Sequence, residues 1–97
     1  MAEVGIVVNL KVKPGMNAEF EKVFAEQAAN CAKNEPGQLL YKLFKTRNDP
    51  QAYVIMERYK DADALGVHGK AEWMGLTRDR IRATLDGAIS AAVVDAV

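Results

Sequence analysis

The sequence predicts an α+β fold, a four-stranded antiparallel sheet that carries helices on one face. Three observations predict it: an early segment in which apolar and polar residues alternate, a pair of β-forming segments joined by a turn, and two segments whose apolar residues recur every three to four positions. Since 97 residues are the size of one small domain, we treat residues 1–97 as a single domain.

The first strand and the first helix have the clearest periodicity. Residues 4–12 alternate with a period of two, and Pro14 with the following glycine ends this strand. The spacing then becomes helical, and Asn17 is the predicted N-cap of the helix. Proline and glycine within residues 35–37 end it. The predicted inner face of this helix consists of Phe20, Val23, Phe24, Gln27, Ala28 and Cys31.

A hairpin of two strands follows. Residues 38–46 and 52–60 are rich in β-forming residues, and residues 47–50 have the composition of a turn. Both strands are apolar on both faces, which is unusual for a sheet that helices cover on one side only. The side chains in question are Leu39, Tyr41 and Leu43 against Leu40 and Phe44 in the first strand, and Tyr53, Ile55 and Tyr59 against Val54 and Met56 in the second.

The last part of the chain contains two more helical segments and a tail. We predict a short helix over residues 61–68 with Asp61 as its cap, and a longer helix over residues 70–85. The alanine-rich tail, residues 88–97, has the propensity of a helix, but two adjacent valines and the need for a fourth strand favour a strand.

The resulting order is β-α-β-β-α-β, the split arrangement of the ferredoxin-like fold. Right-handed crossovers place both helices on the same face of the sheet. The other face is also apolar and needs a cover, which is most simply a second copy of the same sheet related by a two-fold axis. We therefore predict a homodimer whose sheets face each other. The alternative is a monomer with an open apolar face.

Composition narrows the function classes. The chain has 13 basic and 13 acidic residues, a net charge of zero, so neither nucleic acid nor an anionic membrane surface is an expected partner. The single cysteine, Cys31, fits a reducing compartment. The first residues lack the features of a signal peptide, and the sequence has no apolar run of the ~20 residues that a membrane span needs. We expect a cytoplasmic protein.

Six short segments, in this order and spacing, resemble the antibiotic biosynthesis monooxygenase family of dimeric α/β-barrel proteins. The resemblance extends over nearly the whole chain, and its most specific part is a strand with a glutamate just before an aromatic residue, followed by an acidic-capped helix that ends in histidine. The matching segments are residues 12–15 (VKPG), 20–24 (FEKVF), 35–37 (EPG), 40–44 (LYKLF), 48–50 (NDP) and 53–68 (YVIMERYKDADALGVH).

The resemblance implies a range of reactions. Members of the family include cofactor-independent monooxygenases that oxidise quinols or anthrones with molecular oxygen, haem-degrading enzymes, and isomerases of small phosphorylated sugars. The fold alone does not choose among them. Members commonly have a second histidine followed by an aromatic residue early in the last helix, where this chain has Glu72 and Trp73. A mechanism that needs the second imidazole is therefore not expected here.

His68 is the first candidate catalytic residue. It is the only histidine, it lies at a helix end before Gly69, and its side chain exchanges protons near neutral pH. The alternative is a surface histidine without a chemical role, and the resemblance to the family motif raises the weight of the catalytic interpretation.

Glu57 is the second candidate catalytic residue, because it lies in the middle of an apolar strand. A buried carboxylate is either paired or has a raised pKa, and both conditions suit a base or an orienting partner. The alternative is a salt bridge at the dimer interface, with Arg58 or Lys42 as the counter-charge.

Three further residues are candidates for binding a substrate. Asn9 interrupts the first strand, and an inward-facing amide holds an oxyanion or carbonyl, or bonds backbone across the dimer. Tyr41 and Trp73 suit the wall of a pocket for a flat ring, or simply belong to the core. We expect Cys31 to be an inert packing residue. Arginines 78, 80 and 82 are predicted to form a solvated face.

No cofactor and no metal are predicted, because the sequence has no phosphate loop, no dinucleotide fingerprint and no pair of metal ligands at useful spacing. Our leading hypothesis is a cofactor-independent monooxygenase that oxidises a small aromatic or quinol-like substrate with molecular oxygen, in a pocket between sheet and helices. The alternatives are an isomerase or lyase acting on a small oxygenated metabolite, a non-catalytic, stress-related binding dimer, and, with less support, a haem-degrading enzyme.

Overall fold

A computed structural model describes residues 2–97 of the chain. It contains four strands, three α-helices and one 3₁₀ helix. In chain order the elements are β1 (Val4–Lys11), α1 (Asn17–Asn34), β2 (Gln38–Lys45), β3 (Ala52–Tyr59), α2 (Ala62–Gly69), the 3₁₀ helix (Glu72–Leu76), α3 (Arg78–Arg82) and β4 (Ser90–Asp95).

The four strands form one antiparallel sheet in the order β2-β3-β1-β4. This order, with the helices between the strands, confirms the predicted ferredoxin-like fold and the strand character of the tail. Ile6 of β1 pairs with Glu57 of β3, and Tyr41 of β2 pairs with Glu57 from the other side. A register shift between Gln38 and Leu40 sets this second alignment. Glu57 therefore lies in the middle of the sheet, between two neighbouring strands.

The core lies between the sheet and α1. The helix buries the face that its periodicity predicts, since Phe20, Val23 and Cys31 are fully buried. Alternate residues of β1 and β3 meet this face, as a period of two requires. The central cluster consists of Val8, Leu10, Val12, Phe20, Phe24, Tyr53 and Ile55.

The predicted N-cap of α1 is wrong. Asn17 is the first residue of the helix, Met16 occupies the cap position, and no side chain caps the helix there. The Asn17 amide instead donates to the carbonyl of Pro50 and to the hydroxyl of Tyr53, both at 2.9 Å. The oxygen that a cap would use, Asn17 Oδ1, accepts from the side-chain amide of Gln51 at 3.0 Å. Tertiary partners on the β2–β3 connection and on β3 thus occupy both ends of the Asn17 amide.

The predicted helix over residues 70–85 is also wrong. The segment contains the 3₁₀ helix and the single turn of α3, with Thr77 between them. Thr77 is fully buried, and its hydroxyl donates to the side chain of Gln27 on α1 at 2.6 Å. Gly75 lowers the helical propensity of the segment by about 1 kcal/mol relative to alanine. The weak helical propensity of this segment is therefore outweighed by the buried hydrogen bond between Thr77 and Gln27.

The sheet face away from the helices is apolar and open. All four strands contribute side chains to this face, and all six residues of β4 are exposed. Val7, Phe44, Met56 and Val94 are each more than a third exposed on this face. The two apolar faces predicted from the sequence are thus present, and the dimer remains a prediction.

Within residues 2–97, none of the helices combines the length and the apolar character that crossing a lipid bilayer requires.

Helix α2 is held close to the end of α1. As predicted, Asp61 caps the helix, since its carboxylate accepts from the backbone N–H of Ala64 at 2.8 Å. Gly37, just after α1, lies directly against this first turn. A methyl group added to Gly37 would come within 2.6 Å of the Ala64 Cβ atom and 3.3 Å of the Lys60 side chain. The approach of α2 to the rest of the fold therefore depends on the absence of a side chain at residue 37.

We expect Gly37→Ala to lower the free energy of unfolding by about 1–3 kcal/mol, because α2 must shift to relieve the contact with Ala64. Gly66→Ala is the matched control. Residue 66 lies within α2 and a methyl group there meets nothing within 4 Å, so that variant should gain about 0.5–1 kcal/mol from helix propensity. Urea denaturation measures both. A Gly37→Ala variant as stable as the unsubstituted protein would contradict the close approach.

Candidate functional site

A cavity of about 270 Å³ opens between the sheet and the helices. Most of its wall is apolar. Six polar side chains also reach it: Gln27 of α1, Tyr41 of β2, Glu57 of β3, His68 of α2, and Arg78 and Arg82 of α3. The apolar wall consists of Val8, Leu10, Phe20, Phe24, Ile55, Met74, Ile81, Leu85 and Ile89.

The imidazole of His68 is anchored by Glu35. Its Nδ1 atom lies 3.0 and 3.1 Å from the two carboxylate oxygens of Glu35, and the Glu35 side chain is only 2 % exposed. The indole N–H of Trp73 donates to the same carboxylate at 2.6 Å. A carboxylate accepts hydrogen bonds, so the proton of a neutral imidazole belongs on Nδ1. The Nε2 atom is then left with a free lone pair.

The free nitrogen faces Glu57. The Oε1 atom of Glu57 lies 3.8 Å from His68 Nε2, and it accepts a hydrogen bond from the Tyr59 hydroxyl at 2.6 Å. The amide of Gln38 in turn donates to the Tyr59 hydroxyl at 3.1 Å. Burial raises the pKa of Glu57, and the bond from Tyr59 only partly opposes this shift. The pair thus contains a nitrogen with a lone pair and a carboxyl group that keeps its proton to higher pH than usual.

Tyr41 forms the aromatic wall beside the pair. Its ring centroid lies 5.4 Å from that of His68, edge-on, and 5.0 Å from that of Phe24. The Gln27 amide donates to the Tyr41 hydroxyl, while Thr77 donates to Gln27. Burial raises the pKa of Tyr41, so its hydroxyl stays protonated. The cavity therefore offers a mostly apolar binding space, with an aromatic ring in its wall and proton-exchanging groups at its buried end.

A sequence model of the antibiotic biosynthesis monooxygenase family matches residues 3–84. The chain belongs to this family. A comparison with curated proteins gives no match.

Solved structures agree with this membership. A protein from Caulobacter crescentus CB15, provisionally described as an antibiotic biosynthesis monooxygenase, is 38% identical, with a TM-score of 0.94 over 99% of this chain and 91% of that one. SnoaB from Streptomyces nogalater, described as a cofactor-independent oxygenase, is 28% identical, with a TM-score of 0.87 over 100% and 95% of the two chains. A conserved protein from Methanosarcina mazei Go1, at 19% identity and a TM-score of 0.88 over 97% and 92%, shares the fold.

The structure brings three of the five predicted site residues together. His68, Glu57 and Tyr41 line one cavity. Trp73 does not line it, and its indole instead bonds to the Glu35 carboxylate. Asn9 is exposed on the opposite face of the sheet, because it alternates with Val8 and Leu10, which face α1. Asn9 therefore does not line this cavity, and its role in binding a substrate stays a prediction.

Neither proposed counter-charge of Glu57 pairs with it within the described residues. Arg58 and Lys42 both lie on the other face of the sheet, and Arg58 pairs with Glu3 at 2.6 Å. A salt bridge of Glu57 across a dimer interface stays a prediction. The neighbours of Glu57 are Tyr59 and His68.

Sequence reasoning missed Glu35 and Gln27. Glu35 lies in the three-residue segment that ends α1, and no sequence pattern marks its side chain as part of a site. Gln27 lies on the predicted apolar face of α1, and an amide among apolar neighbours is the one available signal. A buried amide or carboxylate requires partners, and Glu35 and Gln27 both obtain theirs from segments distant in sequence.

Cys31, Glu35 and His68 present one ligand-type atom each within 4.8 Å of one another. Their chemistry does not fit a metal ion well. Burial and the neighbouring Glu35 raise the pKa of the Cys31 thiol to about 12, so the thiolate that a metal binds is disfavoured. The Glu35 carboxylate already accepts from Trp73 and faces His68. We derive no chemistry through a metal there, and the predictions of no metal and no cofactor stay predictions.

Because burial raises the pKa of Glu57, the folded protein holds this proton more tightly than the unfolded chain. The stability of the unsubstituted protein relative to Glu57→Gln should therefore fall as pH rises above the ordinary value of 4.5 and level off beyond the folded-state pKa. Glutamine still accepts from Tyr59. Glu19→Gln, at an exposed position of α1, serves as the control. Urea denaturation of both proteins between pH 4 and pH 8 tests this. The prediction would be contradicted if the unsubstituted protein became more stable relative to Glu57→Gln as the pH rises.

Proposed function

We propose that the protein is a cofactor-independent monooxygenase that oxidises a small, quinol-like aromatic substrate with molecular oxygen in the cavity beside His68. The observation that carries the proposal is the imidazole itself. Glu35 fixes its Nδ1 atom, and the Nε2 atom lies 3.8 Å from Glu57 at the buried end of an otherwise apolar cavity. A proton acceptor in an apolar space is what such a reaction needs from a protein.

In the proposed reaction the substrate supplies the electrons. A quinol loses a hydroxyl proton, and the electron-rich anion reduces oxygen. One oxygen atom forms a bond to a ring carbon and the other leaves as water, so that quinol and O₂ give a hydroxyquinone and H₂O. The quinol gives up four electrons in the net change, two as it becomes a quinone and two as its ring C–H becomes C–OH. Two of its hydrogens leave in the water, so the reaction balances without any other reductant.

His68 and Glu57 have different roles in this proposal. The Nε2 lone pair of His68 accepts the substrate proton, and the carboxylate of Glu35 stabilises the imidazolium that forms. Glu57, with its raised pKa, exchanges a proton with the imidazole or returns one to the reduced oxygen. Tyr41 lies edge-on to His68 and offers its ring to a flat substrate.

The relatives support the same reading. The family includes monooxygenases, and SnoaB, 28% identical over the full chain, is described as a cofactor-independent oxygenase. The direct experiment is an oxygen-uptake assay of the purified protein across a panel of quinols. We expect oxygen consumption equal to product formation. Conversion of the same substrates in the absence of oxygen would overturn the proposal in favour of an isomerase or lyase.

We expect His68→Ala to lower turnover by roughly 10²–10⁴-fold, the usual contribution of a positioned general base. Added imidazole should restore part of the rate, because the substitution leaves space next to Glu35, and a merely structural role for His68 would give no such rescue. Oxygen uptake measures both effects, with folding checked by urea denaturation. Full turnover in this variant would remove His68 from the mechanism.

The open sheet face supports a second part of the proposal, a homodimer formed by two such faces. Exposed apolar side chains from β1, β2, β3 and β4 lie next to one another there, including Val7, Phe44, Met56 and Val94. Contiguous apolar surface of this kind is typical of an interaction site. A two-fold axis would place the same patch on both partners and bury it.

Met56→Glu should dissociate this dimer, because the substitution would bury a carboxylate within the apolar face. Leu76→Glu is the matched control, since Leu76 is 65% exposed but lies on the 3₁₀ helix, away from the sheet face. Light scattering at micromolar concentration distinguishes the dimer from a 10.6 kDa monomer. A monomeric unsubstituted protein would contradict the proposal.

A further inference from the structure

We propose that the aromatic substrate carries a carboxylate, and that Arg78 and Arg82 bind this carboxylate at the mouth of the cavity. The inference rests on the proposed function, since it concerns a ligand of the same cavity. It adds the chemical class of the ligand, an aromatic carboxylate, and states that its carboxylate end binds at the mouth of the cavity.

The two arginines occupy one side of α3. They are four residues apart, one helical turn, so their side chains lie on the same face. Both line the cavity together with Ile81 and Leu85. Both arginines are exposed, whereas the side chains of His68 and Glu57 are only 11% and 7% exposed. The arginines therefore mark the solvent end of the cavity.

Their charges are largely uncompensated within residues 2–97. Arg78 has no acidic partner within 4.0 Å there, and Arg82 lies 3.9 Å from Asp79, with both of these side chains more than two-thirds exposed. Such an exposed pair is weak. Arg80, between them on the chain, does not line the cavity and pairs with Glu26 at 2.9 Å. Arg80, which does not line the cavity, thus has an acidic partner, whereas Arg78 and Arg82 at the mouth of the cavity are available to bind an anion.

The charges of the cavity wall orient such an anion. Glu57 is the only acidic side chain of the wall, and it lies at the buried end beside His68. A carboxylate on the ligand is repelled there when Glu57 is ionised and attracted by the guanidinium groups at the mouth. The rings then occupy the apolar part of the cavity. The carboxylate is planar, and guanidinium groups bind it through paired N–H donors.

Two ligands that differ in charge test this directly: 2-naphthoate and its neutral counterpart 2-naphthamide, titrated by calorimetry. We expect the unsubstituted protein to bind the naphthoate at least about tenfold more tightly, the effect of one charge-assisted hydrogen bond. The preference should shrink as ionic strength rises from about 0.01 M to about 1 M, because the arginines are exposed. The double variant R78Q/R82Q should lose most of it, and R80Q, which removes the same kind of charge from the same helix, should retain it.

The outcomes separate this inference from the proposed function. Equal binding of the two ligands, no binding of either, or a preference that survives in R78Q/R82Q would overturn the carboxylate site. Arginine-dependent binding of the naphthoate, together with no oxygen uptake on any quinol, would support the site and refute the monooxygenase. Oxygen uptake confined to neutral quinols would refute the site and leave the monooxygenase standing.

Discussion

The contact between the Glu35 carboxylate and the His68 imidazole is the interaction on which the rest of the site depends. Glu35 follows the last residue of α1, His68 belongs to α2, and Trp73, the other donor to the same carboxylate, belongs to the 3₁₀ helix. One buried carboxylate thus joins three segments that are separated in the sequence. Its burial is tolerable because both neighbours offer N–H groups. The same contact places Nδ1 of His68 against Glu35 and leaves Nε2 facing the cavity. The Glu35 carboxylate therefore determines both how α2 and the 3₁₀ helix pack against α1 and which imidazole nitrogen can accept a proton.

The sequence predicted the regular parts of the fold because their signals are local. The period of two in β1 and the apolar face of α1 follow from which side chains face the core. The cap of α1 and the helix over residues 70–85 could not be predicted in this way. Asn17 forms a hydrogen bond with Tyr53, and Thr77 forms one with Gln27, and both partners belong to distant elements. The role of Glu35 could not be predicted for the same reason, since its partners lie 33 and 38 residues further along the chain.

The sheet separates two kinds of surface along a single strand. In β3, Glu57 faces the helices and the cavity, while its neighbours Met56 and Arg58 face the open side. Association through the open face therefore need not disturb the groups on the other side. The backbone of the sheet is nevertheless shared, so a change in strand register would exchange the two sets of side chains. The irregularity between Gln38 and Leu40 is where β2 sets its register against β3.

The surroundings of Cys31 bear on the proposed oxygen chemistry. Its sulfur lies 3.9 Å from His68 Nδ1 and 3.7 Å from the sulfur of Met74, next to the groups to which we assign the chemistry. Peroxide attacks the thiolate, and the pKa of about 12 keeps Cys31 in the thiol form at neutral pH. Partially reduced oxygen that escapes from the cavity would therefore meet an unreactive sulfur. The burial that makes this cysteine a poor nucleophile would thus also keep its sulfur reduced while the proposed reaction takes place beside it.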